Sequence, residues 1–591
     1  VMSYDYKMGF PLLWKIQDLI GTEKCEGLTV HSVSTICKDI LSLYPEEFGV
    51  QDCLEMDHDC YRLMYELACL PSKDATSDNN QISHHGLNNY SVACLHNIMT
   101  KHQCSLEDAL IMTKEGCRWD EDARTRLPER IDYCETQMFM YGQLKERLNA
   151  LNPFDRILRV VECLERNDSL RKKVSKSYDH IVCDNVEEMT ALELRFLRAF
   201  AKDSTIVFSG DPRQAFKDYD GISHFDRDLV REYFPDITLF RLNTNFRCPP
   251  SVCNLAGWLM ERSPFKTDYL VPAVPANIDG NSPAIRMIYG NTKEEASSQI
   301  VSLIKEYHDN GGSYSDIMIL GESRWEMFDI QKNLSAEKIP HKCIDISDPS
   351  RTGSNHLKYF TSAMRIASNW RNASAWWDLM SMYRYMDDLD TSISLHLIRS
   401  LICCDSREAA ITLFAESNFS TKAAQFLKDM YANDDPVIAI EMSKETTLPY
   451  LKDSYERSIK KVMHDIEILE KRAYMYDTLK EYVSGCIIQM DIEEPTEIKK
   501  EAITISSIYR AKPEEAKFCI IMNAGNDIWP KRVNISNGNY AMEQQRRQLY
   551  SAITRSSETL ILCKVPEREF GVFVGYGFLK DVPQSVMVIE I

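Results

Sequence analysis

Five short apolar runs, each closing on a polar loop, constrain this chain more than any other feature. They are Tyr178–Cys183, Thr205–Ser209, Ile317–Leu320, Phe518–Met522 and Thr559–Cys563. A strand covered on both faces cannot alternate apolar with polar residues, so it reads as a continuous apolar run. Between the runs the periodicity is helical, as in Leu144, Leu148 and Leu151, or Leu192, Leu194 and Leu197. Strands alternating with helices predict α/β layers built on a parallel sheet. Two stretches, roughly 45–170 and 345–495, carry the helical pattern without a strand signal. With 591 residues, the chain has room for three to five domains at roughly 100–200 residues each. The simplest architecture is two α/β lobes, each interrupted by a mostly helical insertion. Pro71–Ser91, rich in Asn, Ser, Asp and His, reads as a surface loop inside the first insertion. His84 and His85 within it lack an acidic or Cys partner at ligand spacing and read as solvated.

Composition narrows the classes. Lys and Arg number 69 against 88 Asp and Glu, a net charge of −19. Phosphate binding needs local positive charge. The total therefore argues mildly against a nucleic-acid partner, without excluding a basic groove on an acidic body. The 19 cysteines contain no C-x-x-C pair, and no basic-then-apolar signal opens the sequence. A reduced cytoplasmic protein fits better than a disulfide framework or a zinc ribbon. No apolar run approaches the roughly 20 residues a membrane span requires.

Ligands of open α/β sheets bind beyond the carboxyl ends of the strands, and those ends are suggestive here. The first run leads into Asp184, then Asn185, Val186, Glu187 and Glu188. An aspartate so placed can hold Mg²⁺ through water, although alone it would more often cap a helix. The second run leads into Gly210, Asp211, Pro212, Arg213 and Gln214, where the Gln could sense a terminal phosphate or orient a water. Arg247 and Arg555 end two further segments, and a planar, permanently charged fork suits a developing phosphate charge. Either arginine alone would more simply be a surface ion pair.

Taken in order, the segments YDHIVCDNVEE, IVFSGDPRQAF, LNTNFRCPPSVCNLA, ITISSIYRAKPEEAKFCIIM and EQQRRQLYSAITRSSETLIL resemble motifs II to VI of superfamily 1 DNA helicases of the UvrD/Rep/PcrA type. LTVHSVSTICKDIL resembles motif Ib, and the opening VMSYDYKMGFPLLWKIQDLI is similar to a loose motif Ia. The resemblance spans nearly the whole chain. It implies two RecA-like parallel-sheet lobes of the P-loop NTPase fold, with ATP and Mg²⁺ between them and single-stranded or partial duplex DNA as partner. It also implies 3′-to-5′ movement in DNA repair or recombination, with repair proteins as further partners and no membrane. Lobe 1A would comprise 1–45 and 171–238, insertion 1B 46–170, lobe 2A 239–344 and 496–591, and insertion 2B 345–495.

Carried over by motif, Asp184 would help hold Mg²⁺, Gln214 would contact the terminal phosphate, and Arg247 and Arg555 would act as arginine fingers. Phe246 stands where relatives stack a Tyr on adenine, and Glu515 matches a Glu that contacts the nucleotide sugar. Tyr4, Thr29, His31, Phe216 and Tyr219 fall in the DNA-touching motifs, where aromatic stacking contributes roughly 1–3 kcal/mol per base.

Four departures bear on activity. No G-x-x-x-x-G-K-[ST] loop occurs, which reads as truncation upstream of Val1 or as true loss. Asn185 replaces the motif II Glu that polarises water, and an amide cannot accept that proton. Glu187 or Glu188 could serve instead, out of register. A lost general base typically costs about 10²–10⁴-fold in rate. Asp220 replaces a motif III Arg, and Tyr509 and Pro513 replace the usual His and Gly of motif V. The expectation is therefore an ATP-dependent DNA helicase or translocase. The alternative is a helicase-fold DNA-binding or scaffold protein with weak or no ATPase activity.

Overall fold

A computed structural model describes residues 2–3, 13, 16–50, 53–55, 58–70, 89–112, 127–215, 229–265, 273–276, 285–290, 292–321, 327–343, 355–387, 393–455, 459–484, 501–509, 511–512, 514–522, 524, 539–564, 578–579, 582 and 589–590. All five apolar runs are strands, and every pairing in the two main sheets is parallel. The first sheet has the order β1-β2-β3, with β1 at Met2–Ser3, β2 at His180–Asp184 and β3 at Thr205–Phe208. The second contains β4 (Ile285–Tyr289), β5 (Ile317–Gly321), β6 (His341–Cys343), β7 (Ile503–Ser507), β8 (Ala516–Ile521), β9 (Ser556–Lys564) and β10 (Ile589–Glu590). Its order is β6-β7-β5-β8-β9-β4-β10. The interior strand β5 is buried at every residue, as its unbroken apolar sequence demands.

Among the described helices that pack on the first sheet, three begin alike. They are α1 (Val33–Leu43), α2 (Pro153–Arg166) and α3 (Ala191–Phe200). Each starts on a reciprocal capping box: Ser32 with Thr35, Asn152 with Asp155, and Thr190 with Glu193. Such boxes satisfy two otherwise orphaned amides at each helix start. Ile36, Ile40, Val160, Leu164, Leu194 and Leu197 interlock in the core beneath β2. Because α2 packs there, it counts with the first lobe, and the insertion's core ends near residue 150 rather than 170.

The described parts of 345–495 are helical, running from Asn355–Ser368 to Leu479–Tyr482. These helices and those at His58–Ala68, Asn89–His102 and Leu127–Arg147 share one apolar core. Arg399 donates to the Leu70 carbonyl (3.4 Å), Arg371 to that of Leu148 (3.5 Å) and Arg147 to that of Cys403 (3.2 Å) across the seam. His84 and His85 lie outside the described residues. Among the described residues no helix is long and apolar enough to cross a membrane.

Candidate functional site

The site forms where the strand ends of one lobe meet the last helix of the other. On the first lobe, β2 delivers half-buried Asp184, and Asn185 follows in the left-handed region at φ 54°. Asn tolerates that conformation better than most residues. Its side-chain amide donates to Asp184 Oδ2 at 3.0 Å. The loop after β3 is tied to the loop after β2 by two bonds. Val186 N donates to the Ser209 carbonyl (3.1 Å), and Asp211 N donates to Glu187 Oε2 (3.2 Å). Gly210 permits this approach, since a Cβ there would collide with the Glu187 carboxylate and lie 2.9 Å from Val186 Cγ1.

The second lobe contributes a lysine that sequence reading passed over. Lys512, just after β7, is buried and reaches Glu187 Oε1 at 2.5 Å, Glu188 Oε1 at 3.0 Å and the Gln214 carbonyl at 3.1 Å. One ammonium cannot neutralise two buried carboxylates, so a proton is favoured on one of them. Burial accordingly pushes Glu187 up to about 7, with Lys512 opposing and Glu188 adding to the rise. Burial alone would lower the Lys512 ammonium, and the two carboxylates more than reverse that. Glu187 and Glu188, the substitutes for the missing base, are thus both engaged by this lysine.

The helix Asn539–Ile553 supplies the rest of the contact. Arg547, fully buried, donates through Nε to Glu543 Oε1 (2.8 Å) and through Nη1 to the Pro212 carbonyl. Tyr550, one turn on, donates to Asp211 Oδ2 at 3.2 Å. Residues three apart share a helix face, so both grip the same loop. Arg213 holds Asp211 ionised through Nε at 2.8 Å; burial alone would raise that carboxyl, yet it stays below its ordinary range. Just beyond the helix, buried Arg555 donates to the carbonyls of Ser551 (2.9 Å), Lys512 and Glu514 (3.3 Å). Its Nη2 reaches Gln214 Oε1 at 3.2 Å across the lobes. No carboxylate among the described residues pairs with it, and burial beside Arg247 lowers its pKa to about 10.

The remaining expected residues sit as follows. Arg247 Nε pairs with Glu515 at 2.5 Å, and its Nη1 donates to the Thr554 carbonyl at 3.4 Å. The two side chains expected at opposite ends of one ligand therefore bind each other here. Phe246 projects 86% exposed beside them. Thr29 is exposed; His31 is half-buried, 3.7 Å from Asp39, and burial lowers its pKa. The backbone of His31 bridges Met2 of β1, which pairs in turn with Cys183 at the end of β2. Ser32 of the same segment is a helix cap. Tyr4, Phe216, Tyr219, Asp220 and Pro513 lie outside the described residues. The donor set fits a polyanion: Arg555 is a buried cation whose partners are neutral oxygens, and it faces the carboxylate side at Gln214.

Comparison with known proteins bears on the family and the fold. Residues 2–219 match the UvrD/REP helicase N-terminal domain, and residues 240–348 match the UvrD-like helicase C-terminal domain. A probable DNA helicase II homologue of Mycoplasma capricolum is 22% identical over 474 residues, covering 72% of this chain and 60% of that protein. The ATP-dependent DNA helicase Rep of Buchnera aphidicola (subspecies Acyrthosiphon pisum) is 20% identical over 486 residues, 76% of this chain and 72% of that protein. The ATP-dependent DNA helicase PcrA of Staphylococcus aureus is 19% identical over 489 residues, with 76% and 64% covered. The chain thus spans between 60% and 72% of the length of these relatives. Two parallel-sheet lobes and these matches define a RecA-like α/β protein. It belongs to the UvrD/Rep helicase family.

Proposed function

We propose that this chain is the motor portion of an ATP-dependent translocase on single-stranded DNA, moving 3′ to 5′ and opening duplex in DNA repair or recombination. The observation that carries the reading is the cross-lobe pair of Arg555 Nη2 and Gln214 Oε1 at 3.2 Å. It brings an uncompensated buried cation of one lobe to the strand ends of the other. Asp184 would hold Mg²⁺ through water, while Gln214, Arg247 and Arg555 receive the terminal phosphate. Glu515 would turn from Arg247 to the sugar, and exposed Phe246 would stack on the base. Mg·ATP, when bound, supplies the free energy of the step. Thr29, His31, Tyr4, Phe216 and Tyr219 form the proposed DNA track. The reading requires a phosphate-cradling loop from outside residues 1–591.

A second reading, a helicase-fold DNA-binding or scaffold protein with little hydrolysis, is favoured by Asn185 and by the engagement of Glu187 and Glu188 with Lys512. Single-stranded-DNA-stimulated ATP turnover by the wild type and by Asn185→Glu separates the two. A sharp rise in the variant supports the scaffold reading, since the native site then lacks only its base. Turnover by the wild type that stays flat or falls in the variant supports the motor, with a neighbouring carboxylate already acting, whereas no turnover by either supports the scaffold reading. Glu at a left-handed position costs roughly 1–2 kcal/mol, so thermal melting accompanies the assay.

A further inference from the structure

The segment that carries Arg247 also carries two thiols, and their placement is set by the entry of a helix. Pro249 caps helix α4 (Pro250–Glu261). Cys248 therefore stands one residue before the cap and Cys253 at the fourth helical position. Those are the two positions whose side chains meet when a chain enters a helix, ordinarily as an apolar staple. Here both members are cysteines, each 6% exposed. Cys253 Sγ donates to the Cys248 carbonyl at 3.6 Å, and Cys248 Sγ donates to the Thr554 carbonyl at 3.5 Å. Arg247 Nη1 shares that same carbonyl, and Arg555 is the next residue along.

We propose that Cys248 and Cys253 are a modification site, a thiol pair that a peroxide converts to an intramolecular disulfide, displacing Cys248 from Thr554 and disordering the Arg247–Arg555 anion pocket. The chemistry of the two sulfurs is unequal. Hydrogen bonding from Cys253, with help from Arg247, Asn245 and Arg555, holds the Cys248 thiol below its ordinary value against its burial. The same hydrogen bond and burial push Cys253 up. Cys248 is then the attacking thiolate and Cys253 the resolving thiol. In the first step the Cys248 thiolate attacks one peroxide oxygen, the O–O bond breaks, and the leaving hydroxide takes a proton to become water. In the second, Cys253 gives up its proton and attacks the Cys248 sulfenic sulfur, and the displaced hydroxide leaves as a second water. Two thiols and one hydrogen peroxide thus yield one disulfide and two waters, and a dithiol reductant reverses the change.

The disulfide stands on the helix entry alone; its effect on nucleotide rests on the function proposed above. The whole chain, reduced and then exposed to hydrogen peroxide without denaturant, is alkylated, digested after Lys and Arg, and mapped by mass. The expected result is a peptide 248–262 with neither cysteine alkylated and restored to alkylation by dithiothreitol. In Cys253→Ser a sulfenic-acid probe labels Cys248 instead. Mg·ATP affinity of the oxidised wild type should fall about tenfold and recover on reduction, as loss of a charge-assisted contact would give. Alkylation of both cysteines after peroxide overturns the site, as does a disulfide that leaves an established nucleotide affinity unchanged. If the reduced chain binds no nucleotide, the proposed function fails while the peptide map still decides the disulfide.

Discussion

At Glu187 a single proton joins chemistry to stability. Two carboxylates and one ammonium are buried together, and the folded chain holds Glu187 near 7 against an ordinary value of 4.5. A raised acid binds its proton more tightly in the folded than in the unfolded state. Its stabilising contribution is complete below the unfolded pKa and is lost as pH rises through about 7. In thermal melting the wild type should therefore lose stability from this group between about pH 5 and about pH 7, and Glu187→Gln should remove that loss. Equal slopes in both would show that Glu187 is already ionised beneath Lys512. The motifs single out Asp184, Gln214, Arg247 and Arg555 as candidates, and of these the structure joins Gln214 to Arg555. Lys512 is not singled out, since its carboxylate partners lie more than 300 residues away and nothing local marks a lysine that will be buried.

The element that joins the lobes is the helix Asn539–Ile553. Its inner face is charged yet buried, and this is possible because Glu543 receives Arg546 (3.2 Å) and Arg547 (2.8 Å) from the next turn. Removing one member of a buried ion group leaves the others uncompensated, at roughly 3–5 kcal/mol. Glu543→Gln should lose that much in denaturant unfolding, and a loss below about 1 kcal/mol would mean that water already solvates the two arginines. The strands follow the same logic of visibility. Ile317–Gly321 and Ala516–Ile521 were readable because both faces are covered. Ile285–Tyr289 and His341–Cys343 were missed, as their charged residues break the apolar run. Strand order was not readable at all, because it depends on crossovers rather than on any local pattern.

Across the whole molecule, the two helical insertions are separate in sequence and single in structure. Helix His58–Ala68 packs against Ala373–Met386 and Leu395–Ile402, and one apolar core runs through all three. Helical periodicity located both insertions but could not show that they pair, since an amphipathic face does not name its partner. Leu67 is fully buried in this shared core. Leu67→Ala should cost about 2–5 kcal/mol. It should also raise amide exchange in residues 373–386 as well as 58–68, whereas a change confined to 58–70 would mean that the insertions open independently.

On the proposed function, the lobes meet around a polyphosphate held by Arg555. Mg·ATP and single-stranded oligonucleotide affinities of the wild type and of Arg555→Ala, each verified as folded by thermal melting, test it most directly. In the variant, nucleotide affinity should fall about tenfold or more while the oligonucleotide is bound within a few-fold. Unchanged nucleotide affinity, or an equal loss of both ligands, would contradict it.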